Sequence, residues 1–141
     1  MIYHIEHILN FLEEETLNND VYPEIDIYAN LRIEGDDFHD LMAKYGEIYE
    51  VNMSNYHWYF HAGEERFFLS LGAWLFPPPD ISVKRIPITP VMLLEFANSG
   101  RWEVEYPEHV LPKHRYDIIL DWVFFGSIAA FFIWAIMKGY I

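Results

Sequence analysis

The chain has 141 residues, 22 acidic against 9 basic side chains, a formal charge of −13 and no cysteine. That length fits one ordinary domain. The charge argues against a nucleic-acid binder, which needs clustered Lys and Arg, and the missing thiols exclude disulfide scaffolds, thiol catalysis and cysteine zinc sites.

A chain this acidic should be strongly hydrophilic, yet 52% of it is hydrophobic, 18% is aromatic, and the mean hydropathy is +0.01. Such a composition is far from that of an unfolded acidic chain. The two properties must therefore be segregated along the sequence. Residues 1–112 hold 20 of the acidic side chains and 6 of the basic ones.

Ile2, Ile5, Ile8, Leu9 and Leu12 recur at helical spacing and predict a helix over residues 2–16. Glu13, Glu14 and Glu15 crowd its end, against the macrodipole, and read as a solvated acidic patch. Residues 1–16 carry no basic segment of the kind that opens a secretory signal. Asn18 to Gly35 is a long connection, which can be ordered only by packing its own apolar points: Val21, Ile25, Ile27, Leu31 and Ile33. Asp36 or Asp37 is then expected to cap a second helix running to about Tyr49, with Phe38, Leu41, Met42, Tyr45, Ile48 and Tyr49 on its apolar face.

Residues 52–68 are aromatic-rich and fit a short third helix or an irregular segment. Residues 69–88 contain the insertion Phe76-Pro-Pro-Pro-Asp80, for which the three prolines predict extended chain. Thr89 and Pro90 form the N-cap and first position of a last bundle helix, and Gly100 its C-cap. Arg101-Trp102 is read as structural, with the Trp folded back on the bundle. Residues 103–117, with two prolines, form a linker.

Residues 118–141 are a different kind of sequence. From Trp122 to Met137 there are 16 residues without a charge, all apolar except Gly126 and Ser127. Extending the run to about 20 residues reaches the ~30 Å hydrocarbon thickness. Asp121 stands at one boundary and Lys138 at the other, where it can snorkel. Trp122, Trp134 and Tyr140 lie where interfacial aromatics are expected. The run has no polar face, unlike a surface helix. It predicts a membrane span carried by Trp122, Phe125, Ile128, Phe132, Trp134 and Ile136, in a tail-anchored arrangement. The bland alternative is a buried core helix. Lys113 and Arg115 before the run, against Lys138 after it, favour a cytoplasmic acidic domain.

Candidate chemistry is sparse. His57 and His61 are four apart and His4 and His7 three apart, but neither pair has a third ligand at a recognisable distance. No metal site is expected, and the pairs read as ordinary surface or amphipathic histidines. Glu34, Asp36, Asp37 and Asp40 gather four carboxylates in seven residues without matching a calcium loop. They read as an acidic helix start, with a recognition face for a basic partner as the functional alternative. Tyr56, Trp58, Tyr59, Phe60, Phe67, Phe68 and Trp74 could bind an apolar ligand or lie at a membrane surface, core packing being the simpler reading. No catalytic constellation or cofactor site is expected.

Two segments, Leu31-Arg-Ile-Glu-Gly-Asp-Asp-Phe-His-Asp-Leu41 and Ile88-Thr-Pro-Val-Met-Leu-Leu-Glu-Phe-Ala-Asn-Ser-Gly-Arg-Trp102, together resemble domain-of-unknown-function family 1493, acyl-carrier-like bacterial proteins, over about residues 1–102. The resemblance implies an all-α fold, a small acyl-carrier-like bundle of about four helices in residues 1–102, followed by the linker and the C-terminal transmembrane helix. In an acyl carrier a serine at the start of the second helix holds phosphopantetheine. Here that position falls on Gly35 or Asp36, and the first serine of the chain is Ser54. Phosphopantetheine therefore has no hydroxyl to join, and Asp36 reads as helix capping before mimicry of the phosphate. The expected function is a membrane-tethered, non-catalytic interaction module at the bacterial inner membrane. It would dock a basic protein surface through its acidic face and would bind no nucleic acid. The alternatives are a protein that holds a lipid or acyl chain non-covalently, or an enzyme accessory subunit.

Overall fold

A computed structural model describes residues 1–33, 35–64 and 69–141. It is helical, with no strands among the described residues. Its α-helices are α1 (Ile5–Thr16), α2 (Ile27–Asn30), α3 (Gly35–Ile48), α4 (Leu71–Leu75), α5 (Pro79–Ser82), α6 (Pro90–Ser99) and α7 (Tyr116–Met137), with one 3-10 turn at Trp58–Phe60.

In α1 and α3 the core is built largely where the apolar spacing puts it, although Ile2 and Ile48 are exposed. Ile8, Phe11 and Leu12 of α1, Phe38, Leu41, Met42 and Tyr45 of α3, and Leu93, Phe96 and Ala97 of α6 are buried together. The Tyr45 hydroxyl satisfies itself inside by donating to the Leu93 carbonyl at 2.6 Å. Trp102 does fold back, and it is 2% exposed. An isolated parallel bridge fixes that return: Asn52 N–H donates to the Gly100 carbonyl and Trp102 N–H to the Asn52 carbonyl. Packing continues past Trp102, because Val104 is buried and Tyr106 lies against the core.

The first helix begins later than its apolar spacing suggests. The backbone of Tyr3 is held by α6, with Tyr3 N–H donating to Asn98 Oδ1 and Asn98 Nδ2 donating to the Tyr3 carbonyl. The helix starts after that tether, at Ile5. The long connection is pinned as expected: Val21, Ile27 and Leu31 are core residues. Asp26 caps α2 through Ala29 N–H and takes both guanidinium arms of Arg85, whose plane lies over the Tyr28 ring. Burial would raise the Asp26 carboxyl, but the Arg85 hydrogen bonds and charge, together with the Ala29 and Tyr28 N–H groups, outweigh it and hold the group below its usual value.

Two local expectations need correction. Asp36 and Asp37 are not caps: the helix already includes Gly35, which takes a left-handed φ of 55°, so both acids sit inside its first turn. The described part of the aromatic segment is irregular apart from the short 3-10 turn, one of the two forms expected of it. The proline insertion is not simply extended, since Pro79 occupies the first position of α5, where it has no amide hydrogen to lose. The caps at Thr89 and Gly100 hold as predicted.

The apolar C-terminal run forms α7, 22 residues or about 33 Å at 1.5 Å each. It is long and apolar enough to cross a membrane. Its end is closed locally: Gly139 N–H donates to Ile136 and Tyr140 N–H to the Ala135 carbonyl, a Schellman motif with Gly139 at φ 76°.

Candidate functional site

The acidic start of α3 does not present one face. Asp37 and Asp40 are exposed along a groove shared with Arg32, Lys44 and the end of α1. There Lys44 pairs with Glu15 at 2.6 Å, so one member of the acidic patch at the end of α1 is partnered. Asp36 opens instead onto a second groove with His39, Tyr56, Trp58, Glu64 and Arg115. Glu34 lies outside the described residues, as do Phe67 and Phe68 of the aromatic cluster.

The second groove holds two buried polar atoms with no hydrogen-bond partner among the described residues, His39 Nδ1 and the Tyr56 hydroxyl. Such atoms are rare in folded proteins, where buried polar groups are paired. Arg115 closes one side, donating to Glu64 at 2.7 Å and to Asp117 at 2.7 and 3.0 Å. Arg115 also immediately precedes α7, so this groove meets the base of the long apolar helix. Composition alone gave no sign of that juxtaposition.

Asp121, expected at the boundary of the apolar run, has a defined task. Its carboxylate accepts from the Ser70 hydroxyl and from Gly72 N–H at 2.8 Å, which ties the start of α4 to α7. The approach is close enough that only glycine fits. A Cβ at position 72 would lie 1.7 Å from the Asp117 carbonyl oxygen. Gly72→Val is therefore expected to release α4 from α7. Hydrogen exchange should then accelerate at residues 71–75 while α1 and α3 keep their protection. Unchanged exchange at 71–75 would rule out this seating.

The histidines divide by role. His4 and His7 belong to the start of α1, where His7 Nδ1 accepts from His4 N–H. His57 and His61 flank the 3-10 turn and are not on one helix. His57 lies beside His109, with ring centroids 5.7 Å apart. Burial, then the neighbouring His109, lowers its pKa. His61 is buried and uses both ring nitrogens: Nδ1 lies 2.9 Å from the Ile86 carbonyl and Nε2 2.6 Å from the Tyr106 hydroxyl. That hydroxyl also accepts from Trp102 Nε1 at 2.8 Å and from His57 N–H at 3.2 Å. Its two lone pairs are thus occupied, so its own proton must go to His61 Nε2. Hydrogen-bond counting therefore places the His61 proton on Nδ1, facing Ile86. Tyr106, the hub, sits in a segment that reads as linker from sequence. A tyrosine half-buried against the core, whose hydroxyl needs partners, is the missed signal. Among the described residues no three His, Asp or Glu side chains gather as a metal site.

On α7 the span residues Trp122, Phe125, Ile128, Phe132, Trp134 and Ile136 are all exposed, from 40% to 77%. None of them is buried, unlike the side chains of a core helix.

The sequence profile of the family described as protein of unknown function (DUF1493) matches residues 5–105. No curated protein and no solved structure matches the chain.

Proposed function

The chain belongs to the DUF1493 family, and on that premise we propose that it is a membrane-tethered, non-catalytic interaction module. The observation that carries the reading is α7, whose large apolar side chains are exposed on every side of a helix of bilayer length. We take the compartment to be the bacterial inner membrane, with the acidic domain on the cytoplasmic side. Lys113 and Arg115 on the domain side of α7 support that orientation.

The bundle of α1, α3 and α6 is acyl-carrier-like in this proposal, and α3 takes the place of the carrier's second helix. Gly35 and Asp36 offer no hydroxyl at its start. Incubation of the chain with a phosphopantetheinyl transferase and labelled coenzyme A is expected to leave it unlabelled. A labelled product would end the non-carrier reading.

The partner has a basic surface that straddles the start of α3, meeting Asp37 and Asp40 in one groove and Asp36 at the edge of the other, with Glu34 beside them in sequence. Charges of this kind act mainly on association rate and salt dependence. A partner captured from membrane extracts at low salt should be lost on raising the salt or in the triple variant D36N/D37N/D40N. Capture that survives both treatments would sink the acidic-face reading.

One observation favours a second reading, a non-covalent lipid or acyl-chain binder. The groove with the orphan His39 Nδ1 and Tyr56 hydroxyl adjoins the base of α7, where a polar headgroup could satisfy both atoms. Native mass spectrometry of the full chain released from detergent separates the two: a retained lipid lost in Tyr56→Phe supports the second reading.

A further inference from the structure

We propose that residues 69–82, the proline-containing insertion with α4 and α5, form a second membrane contact. This foot lies in the headgroup layer beside the base of α7. The proposal rests on the reading of α7 as a span.

Three observations converge on it. The first is exposure. Leu69, Trp74, Leu75, Phe76 and Ile81 are 60%, 77%, 50%, 44% and 59% exposed. Elsewhere in the domain exposed large apolar residues are scattered, as is normal for a soluble surface. Five in one short insertion form a patch.

The second is position. The start of α4 is bonded to Asp121 through Ser70 and Gly72, and Gly72 rests on the Asp117 backbone. Asp121 is the last charge before the 16 uncharged residues from Trp122 to Met137. The hydrocarbon boundary of a spanning α7 must therefore fall just beyond Asp121. The headgroup layer adds about 5–7 Å on each side of the hydrocarbon. A five-residue helix is about 7 Å long, so all of α4 fits within that layer. Phe76 remains against the Tyr116 ring at 5.6 Å, which keeps the far end of α4 on α7 as well.

The third is chemistry. Tryptophan at this depth is the side chain that interfaces select. Lys113 is exposed just before α7, where a cation meets lipid phosphates. The rest of the domain is strongly acidic and would be repelled by an anionic leaflet. An apolar foot beside the span holds such a domain at a fixed tilt despite that repulsion, and so sets which acidic groove faces a partner.

The absence of native cysteine makes the test clean. Single cysteines at Trp74, Leu75 and Ile81, at Phe125 within the span, and at Asn19 on an exposed loop would each carry a nitroxide. The full chain would be reconstituted into vesicles of phosphatidylethanolamine and phosphatidylglycerol. Power-saturation spectroscopy then compares collision with oxygen, which enriches in lipid, against a water-soluble nickel complex. The expected result is oxygen-dominated collision at 125, nickel-dominated collision at 19, and an intermediate oxygen-to-nickel ratio at 74, 75 and 81. Oxygen at 125 with the same ratio at 74, 75 and 81 as at 19 overturns the foot while leaving the span intact. Nickel at 125 overturns the span and the foot with it. Shielding of 74 from both agents, with dipolar broadening between labels, assigns the patch to a second copy of the chain and overturns the lipid contact.

Discussion

Trp102→Ala is expected to lower the stability of the domain by about 3–5 kcal/mol, the range for removing a large buried aromatic side chain. Against a typical domain stability of about 5–15 kcal/mol this is a major loss. Trp102 packs at a tilt against Phe96 with ring centroids 4.8 Å apart, meets Tyr56 and His61 edge-on, and donates its indole N–H to Tyr106. It therefore joins α6, the 3-10 turn and the 103–106 segment. Urea unfolding of the full chain in detergent should show a lower midpoint with an unchanged slope. Trp102→Phe keeps much of the packing but removes the indole donor, and should cost about 1–3 kcal/mol. A Trp102→Ala midpoint within about 0.5 kcal/mol of the native one would mean that the tryptophan is not a core residue.

The same network makes the fold acid-sensitive. Burial lowers the His61 pKa to about 4, and nearby His57 and Arg85 add to the effect against the opposing hydrogen bond to Ile86. An unfolded histidine titrates near 6.5. Between those two values the unfolded chain binds the extra proton and the folded chain does not. The contribution is therefore complete above about pH 6.5 and is lost as the pH falls towards 4. A displacement of this size corresponds to about 3 kcal/mol. The structural cause is plain: a proton on Nε2 would point at the Tyr106 hydroxyl, which has no lone pair left to accept it. Unfolding free energies of the native chain and of His61→Gln should be compared from pH 7.5 to 4. Carboxylates contribute to both curves and cancel in the difference, which should shrink by about 3 kcal/mol as the pH falls. Parallel curves would show that His61 is not held neutral.

Much of this was legible in the sequence. The apolar spacings of α1 and α3 named most of their buried residues, because a helix burying one stripe leaves little freedom. The caps at Thr89 and Gly100 were readable because their chemistry is local. What could not be read depends on contacts distant in sequence. The late start of α1 follows from Asn98, 95 residues from Tyr3. The split of the acidic cluster arises because Asp36 faces Arg115 while Asp37 and Asp40 face the end of α1. Tyr106 looked like linker because an isolated tyrosine carries no periodic signal, and its role appears only with His61, Trp102 and His57 around it. Asp121 looked like a boundary charge. Its bonds to Ser70 and Gly72 give it a second function that hydropathy cannot express.

The central claim is that α7 anchors the domain in a membrane. It is tested most directly by fractionating cells that express either the full chain or one ending at Asp121, with an alkaline carbonate wash of the membranes. The cut keeps Asp117 and Asp121 but removes the uncharged run. The full chain is predicted to stay in the washed pellet and the shortened one to appear in the supernatant. A full chain released by carbonate would contradict the span and the function built on it.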